Sequence, residues 1–171
     1  MYLKRISLTN FKNIPEAQIE FSSRLNCING NNGQGKTNLL DAIWYLSMTK
    51  SYFDTADRFT FRHGEQTASV QGTYISADGT EETITILLDK QAAKQVRRGK
   101  KQYSRLSDHI GLIPIVMSSP ADTALVNDAG SERRRFVNMF LSQTDKTYLK
   151  NLQDYNQLLM QRNKLLKMES I

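Results

Sequence analysis

The chain has 171 residues, of which 39% are hydrophobic and 23% charged, so it can bury a core and global disorder is excluded. Its net charge is +6, and its single cysteine excludes both a disulfide framework and a zinc site built from several cysteines. No run approaches the ~18 apolar residues of a membrane span, and the N-terminus lacks the apolar stretch of a secretory signal. The sequence therefore predicts a cytoplasmic protein without membrane contact.

The first predicted elements are three strands and a helix. Apolar and polar residues alternate over residues 6–9 and 17–21, which is typical of half-buried strands, and Asn13-Ile14-Pro15 indicates a turn between them. A third strand is predicted at residues 25–29, which puts Cys27 in the core. That strand runs into a cluster of glycines, after which apolar residues at helical spacing predict a helix at about residues 36–48.

Residues 30–37, Gly-Asn-Asn-Gly-Gln-Gly-Lys-Thr, match the phosphate-loop pattern G-x-x-x-x-G-K-[ST]. Backbone N–H groups must converge on a β-phosphate, and glycine permits that approach and the left-handed dihedrals it needs. The following helix points its positive end at the anion. We expect Lys36 to reach the β- and γ-phosphates of ATP and Thr37 to bind Mg²⁺. The predicted nucleotide ligands are Gly30, Asn31, Asn32, Gly33, Gln34, Gly35, Lys36 and Thr37.

Two further strands are predicted at residues 68–75 and 82–88, joined by a hairpin turn at Asp78-Gly79. Asp89 follows the second strand and is the one candidate for a carboxylate that holds Mg²⁺ in a hydrolytic site. The alternation before it predicts an antiparallel strand with one solvated face, which favours a turn residue instead. The alternative function, a self-contained small P-loop kinase or GTPase, depends on Asp89 as that carboxylate.

The positive charge is concentrated at residues 90–105, which hold seven basic residues and no acid, against 16 basic and 17 acidic residues elsewhere. A hairpin around Gly99 is predicted within this basic segment. Its charges either neutralise nucleic-acid phosphates or keep a solvated sheet edge soluble, and charge alone does not decide between the two. The candidate DNA-binding residues are Arg97, Arg98, Lys100, Lys101 and Arg105.

The last part of the chain is predicted to be helical, after a short apolar strand at residues 112–117. Three arginines at residues 133–135 open one helix, and a long helix with coiled-coil-like apolar spacing follows from Lys146. That apolar stripe is either a dimer seam or the face that packs against a returning helix. No glycine or proline ends the pattern, so we expect the chain to be cut within this helix. His63 and His109 are expected at the surface or its boundary.

Several of these stretches resemble the SMC-like ABC ATPase heads and, within that group, the RecF family of DNA replication and repair proteins. The opening Asn10-Phe11-Lys12-Asn13 and the strand, loop and helix of residues 25–43 resemble the start of such a head. The basic turn at residues 96–100, the segment at residues 113–122 and the Ser-Glu-Arg-Arg-Arg-Phe-Val at residues 131–137 resemble RecF in particular. The resemblance covers nearly all of the chain.

The resemblance implies an α/β fold: a P-loop NTPase with an ABC-ATPase-like head lobe, an antiparallel β subdomain and the start of a helical arm. Residues 1–130 are expected to form the amino-terminal part of the ATP-binding head, with the β subdomain at about residues 67–104. Residues 131–171 are expected to begin the arm, which is truncated. The family's basic residue in the Asn-Phe-Lys opening implies that Lys12 lies near the phosphates.

RecF proteins are ATP-dependent DNA-binding proteins of recombinational repair and replication-fork maintenance. The resemblance implies a homodimer that closes around ATP, binds gapped or junction duplex and single-stranded DNA, and helps load recombinase with RecO and RecR type mediators. The family's signature motif and magnesium-binding carboxylate strand have no counterpart in this sequence, so we expect no complete catalytic site and no ATP hydrolysis by this chain alone. A third hypothesis is a DNA-binding module whose phosphate loop only orders the fold.

Overall fold

An antiparallel sheet of six strands is the frame of the first of two units. The computed structural model describes residues 1–54, 56–123 and 130–168, and it divides into Met1–Ile115 and Val116–Ile171. The strands are β1 (Tyr2–Phe11), β2 (Ile14–Glu20), β3 (Thr67–Ile75), β4 (Glu81–Asp89), β5 (Gln95–Arg98) and β6 (Lys101–Gln102). Their order across the sheet is β2-β1-β3-β4-β5-β6. The alternating residues noted in the sequence form β1 to β4, and the basic segment supplies the last hairpin.

Alternation along each strand places the apolar side chains on one face of this sheet. The register aligns four of them in one cross-strand row, and each is buried: Leu8, Val70, Ile86 and Val96. Thr and Gln side chains occupy the other face, since Gln71 pairs with Thr85 across β3 and β4. Within Met1–Ile115 the described apolar core therefore lies on one face of the sheet, as the sequence pattern predicts for antiparallel strands.

Helix α1 (Lys36–Met48) covers the apolar face of the sheet. Its bounds agree with the helix predicted from the apolar spacing. Leu46 is fully buried against β3, and a Cβ on Gly72 would lie 2.5 Å from its Cδ1. Glycine at this position is therefore what lets the helix approach the sheet so closely.

A cluster of polar groups closes the C-terminal end of α1. Lys94 donates from Nζ to Thr49 O at 2.6 Å and forms an ion pair with Asp57 Oδ2 at 2.7 Å. The Tyr45 hydroxyl donates to Asp57 Oδ1 at 2.6 Å, and burial, reinforced by Asp57, raises the pKa of Tyr45. A cation at this end complements the helix dipole. Lys94 belongs to the basic segment of the sequence, but its ammonium binds groups of the fold, Thr49 and Asp57.

The chain after α1 returns to the end of β1. A short 3₁₀ helix, Asp57–Phe59, is followed by an isolated bridge between Phe11 and Phe61. Arg62 N donates to Asn10 O at 2.8 Å, and Lys12 N donates to Thr60 O at 2.7 Å. These bonds hold residues 59–63 against the turn between β1 and β2.

Two predicted strands are wrong, at residues 25–29 and 112–117. Neither segment has ladder hydrogen bonds, and Leu25 is 86% exposed. A strand needs a neighbour, and in the part of the chain that the structure describes no other strand lies beside residues 25–29. For the same reason Cys27, expected in the core, is exposed.

His109 is also misplaced by the sequence prediction, because its side chain is fully buried. Its Nε2 lies 2.6 Å from Leu46 O, and its ring meets Tyr103 edge to face at 5.4 Å between centroids. The ring closes the core below α1. His63 is exposed, as expected.

The second unit contains two helices, α2 (Gly130–Thr144) and α3 (Lys146–Met168). Asp145 separates them and caps α3, accepting from the N–H groups of Thr147 at 2.8 Å and Tyr148 at 3.1 Å. The Tyr148 hydroxyl contacts Asn138 Oδ1 at 2.5 Å, which ties the helices together. Residues 153–168 of α3 are exposed at every position. The sequence Asn127-Asp128-Ala129-Gly130-Ser131 also predicts a loop that could start a helix, and residues 127–129 lie outside the described residues.

None of the helices among the described residues combines the length and the apolar character that crossing a bilayer requires.

Candidate nucleotide-binding site

The glycine-rich loop of residues 30–37 precedes α1 directly. Gly30, Gly33 and Gly35 have φ of +142°, +81° and +95°, conformations that L side chains rarely adopt. A Cβ on Gly30 would lie 2.6 Å from Gln34 Oε1, which accepts from Asn31 N at 3.1 Å. The three glycines are therefore needed for the path of the loop, and Gln34 fastens its first turn.

The N-terminus of α1 opens onto this loop. Gly35 is the N-cap residue and offers no side-chain acceptor, and the first turn has no acidic residue. Within the described residues, the N–H groups of Lys36, Thr37 and Asn38 donate to no protein acceptor. Three amides and the positive end of the helix dipole thus remain available, an arrangement that suits a phosphate group.

Lys36 spans the loop. Its Nζ donates to Gly30 O at 2.7 Å and to Asn31 O at 2.8 Å. These two carbonyls hold the ammonium beside the helix N-terminus, where a polyphosphate is a stronger partner than either carbonyl.

The Thr37 side chain is exposed at the second position of α1. In the described part of the chain, no three His, Cys, Asp or Glu side chains stand close enough together to hold a metal ion. The exposed Thr37 hydroxyl fits Mg²⁺ as one ligand when phosphate oxygens and water complete the coordination, which is how Mg²⁺ is commonly held with nucleotides.

Asn13, in the turn between β1 and β2, contacts the loop directly. Its Nδ2 donates to Gly33 O at 3.0 Å, and its Oδ1 accepts from Asn38 Nδ2 at 2.8 Å. Sequence reasoning treated Asn13 as a turn residue and missed this contact. The available signal was its position in the Asn-Phe-Lys-Asn opening, directly after Lys12.

Lys12, expected near the phosphates, is engaged beside the loop. Its Nζ lies 2.5 Å from Asp41 Oδ2 and 2.7 Å from Asp54 Oδ2. Asp41 is fully buried on α1 and also accepts from Ser51 Oγ and Tyr52 N, both at 2.7 Å. The ion pair with Asp41 links the turn to α1. The next residue, Asn13, contacts the glycine loop.

An open cleft of about 580 Å³ lies beside the loop. It is lined by Lys12, Asn13, Asn38, Asp54, Phe59, Phe61, Arg62 and His63. Phe59 is 51% exposed. Aromatic faces with polar and cationic neighbours are suited to a nucleoside that extends from a bound phosphate.

The basic segment does not form one surface. Arg97 and Arg98 are adjacent on a strand and so point to opposite faces of the sheet. Arg97 shares a cross-strand row with Thr85, whereas Arg98 forms an ion pair with Glu82 that raises its pKa above the ordinary value. Lys100, Lys101 and Arg105 are exposed. Arg97 and Arg98 thus lie on opposite faces of the sheet, while Lys100 is in the β5–β6 turn, Lys101 is on β6 and Arg105 follows the sheet.

Asp89 is an exposed residue at the end of antiparallel β4, opposite Thr67. Its Oδ1 accepts from Gln91 N at 2.8 Å, which closes the turn after the strand. This geometry gives the kinase or GTPase alternative no support.

Comparisons with known proteins point to ATPases of DNA repair. The model of the AAA ATPase domain family matches residues 1–169. The DNA replication and repair protein RecF of Bacteroides fragilis is 50% identical over 169 residues, which cover 99% of this chain and 46% of that protein. The chain spans about half the length of the curated relatives it matches.

Two solved structures show the same architecture. The structure of the recombination mediator protein RecF-ATPrS in the RecFOR pathway superposes on this chain with a TM-score of 0.91 at 33% sequence identity. The match covers 98% of this chain and 45% of the RecF chain. A structure from work on ATP-driven dimerization of SMC ATPases has a TM-score of 0.64 at 20% sequence identity. The match covers 81% of this chain and 99% of the SMC chain, and it shows similarity of fold alone. The predicted fold class, an α/β P-loop ATPase head with an antiparallel sheet, is confirmed.

Proposed function

We propose, from the premise that this chain belongs to the AAA ATPase domain family, that residues 30–37 bind the polyphosphate of ATP together with Mg²⁺. The observation that carries the proposal is the N-terminus of α1, where a glycine N-cap leaves three amides without a protein acceptor. A glycine-rich turn with no ligand would not require three amides without an acceptor at the start of a helix. Amides that converge at a helix N-terminus are a general solution for binding phosphate.

Each group at the site has a separate role in this proposal. The amides at the start of α1 bind phosphate oxygens, and the Lys36 ammonium neutralises the β- and γ-phosphates. The Thr37 hydroxyl supplies one oxygen to Mg²⁺. The open cleft beside Phe59 and Phe61 receives the nucleoside. Bound Mg²⁺ supplies charge neutralisation of the phosphates, and the protein supplies position.

The experiment that tests this function is titration of the chain with ATP and Mg²⁺ by calorimetry, with Lys36→Ala beside the wild type. Loss of the ammonium removes charge-assisted hydrogen bonds, so we expect affinity to fall about ten- to a hundredfold. Lys150→Ala, which removes the same charge from an exposed position on α3, is the matched control and should bind like the wild type. DNA binding, and a response of that binding to ATP, that Lys36→Ala leaves unchanged would instead support a DNA-binding module whose loop only orders the fold.

The wider function that we propose is ATP-dependent DNA binding in recombinational repair and replication. It is supported by the names of the relatives, a DNA replication and repair protein and a recombination mediator protein. In this proposal the exposed cations of the β5–β6 hairpin contact DNA phosphates. A gapped or junction DNA substrate, RecO and RecR type partners, ATP-dependent dimerisation, recombinase loading and a cytoplasmic location belong to the same proposal for the whole protein.

A further inference from the structure

We propose that Asn13 is a positioning residue that holds the glycine loop in the conformation that binds phosphate. The inference rests on the proposed function, since it concerns how the same loop is prepared for nucleotide. The turn between β1 and β2 places the Asn13 side chain between the loop and α1. We call the turn of residues 10–13 the clamp turn.

The hydrogen bonds fix which way the Asn13 amide faces. A carbonyl can only accept, so Gly33 O requires the Asn13 nitrogen at 3.0 Å. The Asn13 oxygen is then left to accept from Asn38 Nδ2 at 2.8 Å. One amide thus joins the apex of the loop to the first turn of α1, and both of its ends are satisfied.

A second observation concerns Gly35. A Cβ built on this residue would lie 2.8 Å from Asn13 Oδ1 and 3.3 Å from its Nδ2. The Asn13 amide therefore occupies the space that a side chain at residue 35 would need. By contrast, a Cβ on Gly33 would meet nothing within 4 Å, so the loop is open on its other side.

The clamp turn is held in an uncommon conformation. Asn10 and Lys12 have φ of +51° and +52°, the left-handed region that lysine seldom occupies. Such a conformation persists only when its surroundings impose it. Here Lys12 is anchored by Asp41 and Asp54 through its side chain and by Thr60 through its backbone N–H.

The anchor and the clamp act on the same helix. Asn38 and Asp41 are three residues apart on α1 and so lie on one face of it. The clamp turn therefore contacts α1 twice, through the Lys12–Asp41 ion pair and the Asn13–Asn38 hydrogen bond, and it contacts the loop through the Asn13–Gly33 hydrogen bond. A loop ordered before nucleotide arrives loses less conformational entropy on binding, which raises affinity.

This arrangement predicts a selective effect on ligands that fill the loop. In the proposed binding mode ADP and ATP place a β-phosphate against the loop amides, and AMP has no β-phosphate. Removing the Asn13 amide should therefore weaken ADP and ATP about tenfold, the equivalent of one hydrogen bond, and weaken AMP less. An effect on folding alone would weaken all three nucleotides alike.

The experiment is calorimetric titration of the full chain with AMP, ADP and ATP, each with Mg²⁺, for the wild type, Asn13→Ala and Asn13→Asp. Asn13→Asp keeps the oxygen that Asn38 needs and removes the N–H that Gly33 needs, so it should also lose ADP and ATP affinity. Asn26→Ala is the matched control, because Asn26 makes two hydrogen bonds with Ser22 in another exposed loop. It should bind all three nucleotides like the wild type.

If Asn13→Ala does not fold, Asn38→Ala removes one partner of the clamp and leaves the clamp turn unchanged. We expect it to weaken ADP about threefold to tenfold and to be non-additive with Asn13→Ala. Wild-type ADP affinity in Asn13→Asp and Asn38→Ala, or equal losses for AMP and ADP, would overturn the inference. Failure of the wild type to bind ATP would instead overturn the proposed function.

Discussion

Gly35 joins two constraints at a single residue. Its φ of +95° is unfavourable for any L side chain, and the Asn13 amide occupies the space where a Cβ would lie. Backbone strain and side-chain collision are usually hard to separate at a glycine. Here the chain offers a reference, because Gly79 has a similar φ of +84° and a Cβ there would meet nothing within 4 Å.

We predict that Gly35→Ala is more disruptive than Gly79→Ala. Strain at a positive φ costs about 1–3 kcal/mol, and both variants incur it. Only Gly35→Ala also displaces Asn13 from the loop, so it should lower ATP affinity by about tenfold or more while Gly79→Ala leaves affinity unchanged. Urea unfolding measures the first effect and calorimetry the second. Equal ATP affinity in the two variants would contradict the close packing of Asn13 against Gly35.

Tyr74 has a buried hydroxyl that has no hydrogen-bond partner among the described residues. Burial raises the pKa of Tyr74, since the ionised form is disfavoured in the core. Below about pH 10 the phenol is neutral in both the folded and the unfolded chain, so its ionisation does not affect stability. Above that pH the unfolded chain ionises first, and the fold loses stability as pH rises toward the raised folded pKa.

Tyr74→Phe removes the unpaired hydroxyl and should raise the free energy of unfolding by about 1 kcal/mol at neutral pH. It should also reduce the loss of stability between about pH 9 and 11, because one ionisable group no longer favours the unfolded chain. Urea unfolding at several pH values checks both effects. Tyr45→Phe is the comparison, since it loses hydrogen bonds to Asp57 and Lys94 and should be destabilised. A Tyr74→Phe variant less stable than wild type would show that its hydroxyl is paired.

Local sequence patterns predict a helix or strand correctly when its formation depends on its own residues. The apolar spacing predicts the bounds of α1 and the presence of β1 to β4. The phosphate-loop pattern predicts the left-handed conformations of its glycines. Residues 25–29 had the composition of a strand but lack a neighbour to pair with, so composition was not enough. The Asn13 contact, the ion pair of Lys94 with Asp57 and the burial of His109 depend on packing between residues distant in sequence, which no local pattern reports.

The β5–β6 hairpin shows why a run of charge is a poor measure of a binding surface. Arg98 is paired with Glu82, whereas Lys100 and Lys101 at the turn are exposed. We therefore predict that a Lys100→Ala, Lys101→Ala double variant weakens DNA binding and lowers the salt dependence by about two phosphate contacts.

The same element offers a control of opposite sign. Glu82→Gln removes the carboxylate that neutralises Arg98, so it should strengthen DNA binding at low salt. Fluorescence anisotropy with a labelled duplex, measured across a salt series, checks both variants. DNA affinity that is unchanged in the double variant, or independent of salt in the wild type, would count against the hairpin as a DNA contact.

For the whole molecule, the proposed nucleotide site lies within Met1–Ile115 and is assembled from three regions of that unit. The glycine loop and α1 supply the amides and Lys36, the clamp turn supplies Asn13, and residues 59–63 line the cleft. The chain spans about half the length of the curated relatives it matches. Nucleotide binding is the part of the proposed function that these residues support directly.

The most direct test is a crystal structure of this chain soaked with a non-hydrolysable ATP analogue and Mg²⁺. We expect the polyphosphate on the amides at the N-terminus of α1, with Lys36 Nζ turned from Gly30 O and Asn31 O toward a phosphate oxygen. Asn13 should keep its contacts with Gly33 and Asn38. An analogue bound elsewhere, or a loop that stays empty at saturating analogue concentration, would contradict the account.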